Sequence, residues 1–155
     1  MKIRLAQISD AEHICVIWIR SIRELCGPLY QNDERLLSEW CSNKTVDCVS
    51  EMIQNKKNYF IVIEDLNNSI LGIGLLAGHE ILACYMSPDA LGKGGGKAIL
   101  LHLEAQARKW CVHKLELGST RYALGFYLAN GYRQTSDCEL LLQGVIPYIP
   151  MEKVL

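Results

Sequence analysis

Ser87–Cys111, SPDALGKGGGKAILLHLEAQARKWC, joins a glycine-dense turn to an amphipathic run, and its reading decides how the rest of the chain is arranged. Ile99, Leu103, Ala107 and Trp110 recur at spacings of four, four and three, with Leu100 beside them. That period lays one apolar stripe along a helix. Glu104, Gln106, Arg108 and Lys109 fill the opposite side, and no Gly or Pro interrupts residues 97–111. Upstream, Ile81–Met86 reads as a strand that runs into Pro88 and then Gly92, Gly94, Gly95 and Gly96. The first turn of a helix leaves backbone N–H groups without acceptors, and the macrodipole adds partial positive charge there. Glycines let an anion reach that backbone with no Cβ in the way. Lys93 and Lys97 add two cations. The stretch therefore predicts a phosphate or pyrophosphate site, with an ordinary glycine-rich turn as the plainer alternative.

Two familiar phosphate motifs fit badly. A P-loop needs Ser or Thr after Gly-Lys, but Ala98 follows Gly96-Lys97. The dinucleotide fingerprint fails from Gly92, because position 97 is Lys, and from Gly94, because position 99 is Ile. Gly72-Ile-Gly74-Leu-Leu-Ala77 fits its Ala-ended form, but no helix follows, so it reads as coincidence. The order strand, Pro88, Leu91-Gly-Lys-Gly-Gly-Gly96, amphipathic helix resembles the acetyl-CoA-binding segment of the GNAT superfamily of N-acetyltransferases, Q/R-x-x-G-x-G/A. Position 91 departs from it, with Leu where the family usually carries Arg or Gln.

Length and composition bound the answer. The chain has 155 residues, half of them apolar, and a net charge of −1. Residues 1–155 are expected to form one domain with its own core. The charge gives no general attraction to nucleic acid or anionic membrane, so neither is an expected partner. No apolar run reaches membrane-spanning length, the N-terminus has no signal-peptide core, and the expected address is the cytoplasm. The seven cysteines form no CxxC, and Cys15, Cys84 and Cys111 lie in apolar patterns that read as small core residues. No metal site is expected.

Along the chain, Lys2–Gln7 reads as a strand and Ser9-Asp10-Ala11-Glu12 as a capping box. The helix that follows carries Ile14, Ile17, Trp18, Ile22 and Leu25 on one face and is ended by Gly27-Pro28. Residues 33–40 and a segment capped by Thr45 read as two further helices. Residues 59–64, 69–77, 80–86 and 114–117 read as strands, and 120–130 as a helix ended by Gly131. Residues 132–154 hold two more strand-like pieces, and Pro147 and Pro150 suggest an edge or a bulge there. The layout is α+β: a mixed, mostly antiparallel sheet of six or seven strands with helices on both faces. It is also the GNAT order, so the resemblance covers nearly the whole chain.

The resemblance implies roles for particular residues. Leu91, Gly92, Lys93, Gly94, Gly95, Gly96 and Lys97 would form the cofactor loop. Tyr85 and Met86 would lie beside the pantetheine arm, with the Met86 N–H polarising the thioester carbonyl. Phe126-Tyr127-Leu-Ala-Asn-Gly131-Tyr132 matches the family's FYxxxGF/Y piece, in which Tyr127 would protonate the leaving thiolate. The plainer reading is a tyrosine packed on the sheet. Glu80 has the register of the histone-acetyltransferase branch, where a Glu acts through water as the general base; a solvated strand-end carboxylate is the alternative, and His79 is a weaker candidate. Ser119 and Thr120 read as helix caps. Glu24, Tyr30, Asp33 and Trp40 border the acceptor region without an assigned role.

The implied function is acetyl transfer from acetyl-CoA to a primary amine, small molecule or protein, by direct attack in a ternary complex without a metal. Two rivals stay open: a non-catalytic acyl-CoA sensor of the same fold, and a module binding nucleotide phosphate. A homodimer is left open.

Overall fold

In the computed structural model, which describes residues 1–155, the apolar runs alternate between the two faces of one sheet. The elements in order are β1 (Lys2–Leu5), α1 (Ala11–Arg20), α2 (Glu34–Cys41), α3 (Val46–Gln54), β2 (Asn58–Glu64), β3 (Ile70–Ala77) and β4 (Glu80–Met86). There follow α4 (Gly95–Lys109), β5 (Lys114–Ser119), α5 (Leu124–Ala129), β6 (Arg133–Gln134), β7 (Leu140–Leu142) and β8 (Ile146–Val154). The strands lie in the order β1-β2-β3-β4-β5-β8-β6, with β7 also on β8. Every pairing is antiparallel except β4 with β5.

Period-two alternation divides the core in two. Phe60, Val62, Ile73 and Leu75 pack with Ile14, Trp18, Ile22 and Val49 under α1 and α3. Ile61, Ile63 and Leu76 point the other way, onto Ile99, Leu100, Leu103 and Ala107 of α4, all four fully buried. Gly74 explains how closely α4 lies on β3: a Cβ there would meet Ile99 Cγ2 at 2.5 Å. The Gly72-Ile-Gly74 run thus serves packing in mid-strand.

Several expectations need correcting. The sheet has eight strands, not six or seven, because the chain after Tyr132 makes three strands instead of two. The first helix is entered through Gln7, whose N–H donates to Asp10 Oδ2 at 2.7 Å, rather than through a Ser9–Glu12 box. Asp10 is held from its other side by Arg4, at 2.8 Å and 3.0 Å. Gly27-Pro28 does not stop the helical path: a π-helical turn, Ser21–Cys26, and a 3-10 turn, Gly27–Tyr30, carry it on to Gln31 and Asn32, both at positive φ. The helix expected over 120–130 shortens to Leu124–Ala129, because Thr120 Oγ1 caps a turn by accepting from the Ala123 N–H at 3.0 Å.

β8 is an interior strand, not an edge. Pro150 faces Gly118 of β5 on one side, and its carbonyl accepts from Thr135 N on the other. In an extended strand the N and C=O of one residue point the same way, so the missing donor also faces Thr135, and the pairing with the two-residue β6 ends there on a single bond. Cys111 is exposed at φ 60°, not buried, because it is the left-handed residue that closes α4, with Val112 N donating back to the Ala107 carbonyl at 2.9 Å. Glu104, on the side of α4 read as polar, is buried against Tyr132 and Lys153.

Candidate functional site

β4 and β5 set the site. Their parallel pairing lasts only for Glu80 with Glu116 and Ile81 with Leu117; beyond that they diverge. The far half of β4 keeps β3 on one edge and has nothing on the other. Ser87 N donates to the Leu71 carbonyl at 2.7 Å, and Gly72 faces Met86. Because backbone direction alternates along a strand, the Met86 N–H then points away from β3, into the gap.

A cavity of about 540 Å³ fills that gap on the α4 side. Its walls are the far half of β4, the turn before α4, the start of α5 and the π-helical turn, which contributes Ser21, Leu25 and Cys26. Leu91, Gly92, Gly94, Gly95, Gly96 and Lys97 line it; Lys93 does not. Gly92 at φ 77° and Gly94 at φ 81° set the turn, left-handed conformations that glycine adopts without penalty. The first bond of α4 runs from Ala98 N to the Gly94 carbonyl, and no backbone N–H of residues 92–97 donates to a protein acceptor. Lys93 and Lys97 join no ion pair, while Leu91 is 40 % exposed and supplies no charge.

Tyr127 lines this cavity. Its ring is 6 % exposed, packed edge-on against Phe126 at 5.2 Å and Tyr132 at 5.6 Å. Burial first, and the neighbouring Cys84, Tyr85 and Tyr132 after it, push its phenol well above the ordinary tyrosine range. The Cys84 thiol, beside it, donates to the Gly96 carbonyl at 3.7 Å. Burial pushes Cys84 up to about 12 and Cys26 up to about 11. Phe126, Asn130 and Tyr122 line the same cavity and were not singled out from sequence; the FYxxxG match was the available signal for the first two.

A second cavity, about 750 Å³, opens on the opposite face of the sheet. Glu80 and Tyr85 line it with Trp18, Trp40 and Lys44. Glu80 and Tyr85 are five residues apart and would face opposite ways on a regular strand. A bulge, with Ala83 opposite Leu75 and Ile81 opposite Leu76, puts Leu82 in excess and brings them to one face. Tyr85 packs with Trp18 at 5.9 Å between ring centroids, so its ring stands on the side away from α4. Ile81, Leu82, Tyr85, Gly118 and Thr120 line both cavities, which therefore meet through the gap between β4 and β5.

Other candidates have structural employment. His79 Nε2 lies 3.3 Å from Glu116, outside both cavities. Asp33 caps α2, Glu24 pairs with Arg20, and the Tyr30 hydroxyl accepts from Arg121 N at 2.9 Å. No group of three or more His, Cys, Asp or Glu side chains is placed to hold a metal. No helix is long and apolar enough to cross a membrane.

A parallel pair that opens toward a glycine turn, with a cavity on each face, leaves a free strand edge that two ligands can reach from opposite sides, room for a group transfer between them. Comparison with known proteins says which transfer. Residues 28–155 match the family model described as "Acetyltransferase (GNAT) domain". Peptidyl-lysine N-acetyltransferase YjaB of Escherichia coli (strain K12) is 25% identical over 127 residues, 72% of this chain and 82% of that protein. Among solved structures, a GCN5-related N-acetyltransferase from Rhodopseudomonas palustris superposes with a TM-score of 0.88 at 20% identity, covering 99% of this chain and 95% of that one. The PaiA N-acetyltransferase of Thermoplasma acidophilum, in complex with coenzyme A, gives 0.80 at 22%, covering 99% and 98%. The chain therefore belongs to the GNAT acetyltransferase family and is by class an N-acetyltransferase.

Proposed function

We propose that the protein transfers acetyl from acetyl-CoA to a primary amine by direct attack, with the cofactor in the α4-side cavity and the amine entering from the other. The observation that carries this is the pair of cavities meeting at the unpaired edge of β4. The free N–H groups of residues 92–97, with Lys97, suit a pyrophosphate, and the Met86 N–H suits the thioester carbonyl. The coenzyme A held by PaiA supports the same donor here. The amine nitrogen bonds to the acetyl carbon and the C–S bond breaks. The ammonium proton leaves through water to Glu80, the thiolate takes a proton from Tyr127, and the second proton, lost by the nitrogen as the amide forms, returns through water to the Tyr127 phenolate. Both cavity thiols, held at about 11 and about 12, stay protonated at neutral pH, which leaves no thiolate to carry the acetyl group. Free thiol released from acetyl-CoA across a panel of primary amines tests the reaction; no release above hydrolysis with any amine rejects it.

Gly94→Val should weaken CoA binding about 10- to 100-fold, through the loss of charge-assisted bonds to backbone N–H groups. A Cβ at Gly94 meets nothing within 4 Å, so the harm comes from the φ of 81°, which valine resists. Calorimetric titration of CoA measures it, and wild-type affinity in the folded variant would move the pyrophosphate elsewhere.

Glu80→Gln should slow turnover by roughly tenfold or less at neutral pH, since water reaches this exposed side chain and can partly replace it. A free amine of the lysine type has a pKa near 10.4. The defect should therefore shrink as pH rises toward that value and the amine needs no base. Parallel pH–rate profiles for variant and wild type would remove Glu80 from the mechanism.

A further inference from the structure

Lys44 stands alone in the second cavity. The chain makes ion pairs freely, yet no carboxylate lies within 4 Å of Lys44 Nζ. The ammonium sits 4.6 Å from the centroid of the Trp18 ring, and its one hydrogen bond is to the neighbouring Asn43 side-chain oxygen, at 2.6 Å. Burial lowers its affinity for the proton, and the only charge partners that offset this are the Cys41 and Cys48 thiols. A half-buried cation that gains so little from its own protein is set up to gain from a ligand.

The surroundings say which ligand. Trp18 lines the cavity, and its Nε1 is the one buried side-chain nitrogen or oxygen without a hydrogen-bond partner. The Tyr85 hydroxyl and the Trp18 and Trp40 indoles neighbour one another. One cation among neutral donors suits a singly charged anion. Two steps, 4.6 Å and 5.9 Å, lead from Lys44 Nζ across Trp18 to Tyr85 and so to the gap where the cavities meet. The cavity's carboxylates divide in the complementary way. Glu116 is taken by His79 and Lys114, and Glu152 by Lys114 and Arg133. Glu80 and Glu39 have no cation partner.

We infer that the acceptor is a small amine that also carries a carboxylate, an amino acid or a close relative, with its carboxylate on Lys44 and its ammonium toward Glu80. This rests on the acetyl-transfer reading of the same site. The product is then the N-acetyl amino carboxylate together with free CoA thiol.

The test compares matched amines, amino carboxylates of increasing chain length against their carboxamides, by kcat/KM with acetyl-CoA. Wild type should favour the carboxylate about 10- to 100-fold, the span of a hydrogen bond to a charged group. Lys44→Met keeps the length of the chain while removing its charge and should bring the ratio close to one through KM; Lys44→Arg should restore part of it. Carboxamides used as well as carboxylates, a preference that survives Lys44→Met, or a peptide lysine preferred over every amino carboxylate would each overturn the inference. A second arm needs no turnover. Binding of N-acetyl amino carboxylates to the enzyme with CoA should weaken in Lys44→Met by about the same factor. Such binding in an enzyme that acetylates nothing would reject the acetyl-transfer reading and keep the carboxylate site. Absence of that binding alongside active turnover of plain amines would do the reverse.

Discussion

Tyr127→Phe should lower kcat by about 10²–10⁴-fold, the range for a lost general acid, with acetyl-CoA affinity and melting temperature nearly unchanged. The phenylalanine keeps the ring, which matters because that ring is 6 % exposed and packs on Phe126 and Tyr132. What it removes is a hydroxyl whose nearest partner is a thiol already turned to the Gly96 carbonyl. The raised pKa fixes the sign of the pH dependence. A phenol held well above 10 stays protonated through the working range, so its ionisation should add no alkaline fall in rate below that value. It is also a weaker acid than a free phenol. A thiol in water has a pKa near 8.5, and burial raises a thiol as well, as it does Cys84 in the same cavity, pushed up to about 12. Steady-state kinetics with thermal melts decide the matter: a loss of kcat below about threefold removes Tyr127 as the proton donor, and a parallel drop in melting temperature makes its hydroxyl a structural group.

The parts of this molecule that show in the sequence are those written in short-range period. The stripe Ile99–Leu103–Ala107 and the glycines before it are local patterns, and they placed α4 and its turn to within two residues. The site on the far face is written in contacts between distant residues. Lys44 meets Trp18 across 26 positions with no motif between them. Glu80 and Tyr85 share a face because of one extra residue at Leu82, and that bulge is set by pairing with β3, not by any Gly or Pro. Pro150 suggested an edge because proline removes a donor. The structure instead puts the missing donor on the β6 side, where pairing ends on the one bond from Thr135 N to the Pro150 carbonyl. Glu104 looked solvated because a carboxylate on a helix usually is, and its cation lies 49 residues away.

That pair supports the other large prediction. Lys153→Met should destabilise the protein by about 3–5 kcal/mol, the loss expected when one partner of a buried ion pair is removed. For a chain of this size that is a fall in melting temperature of roughly 6–20 °C. Glu104 is 1 % exposed and accepts from Lys153 Nζ at 3.0 Å and 3.2 Å and from the Tyr132 hydroxyl at 3.0 Å. Without the lysine, one phenolic O–H is left to stabilise a carboxylate that water cannot reach. Removing both charges, Lys153→Met with Glu104→Leu, should recover most of the loss, because an apolar pair of similar volume carries no desolvation penalty. A single-variant loss under 1 kcal/mol, or a double variant no better than the single, would show that the pair does not hold α4 to β8. The consequence reaches the chemistry through Tyr132. Its hydroxyl is tied to Glu104 and its ring packs on Tyr127, so the network fixes the wall against which Tyr127 stands. Below its melting temperature, Lys153→Met should therefore lose kcat in excess of its unfolded fraction. The double variant separates the two effects: it should regain stability while kcat stays low wherever Tyr132, freed of its hydrogen bond, lets Tyr127 shift.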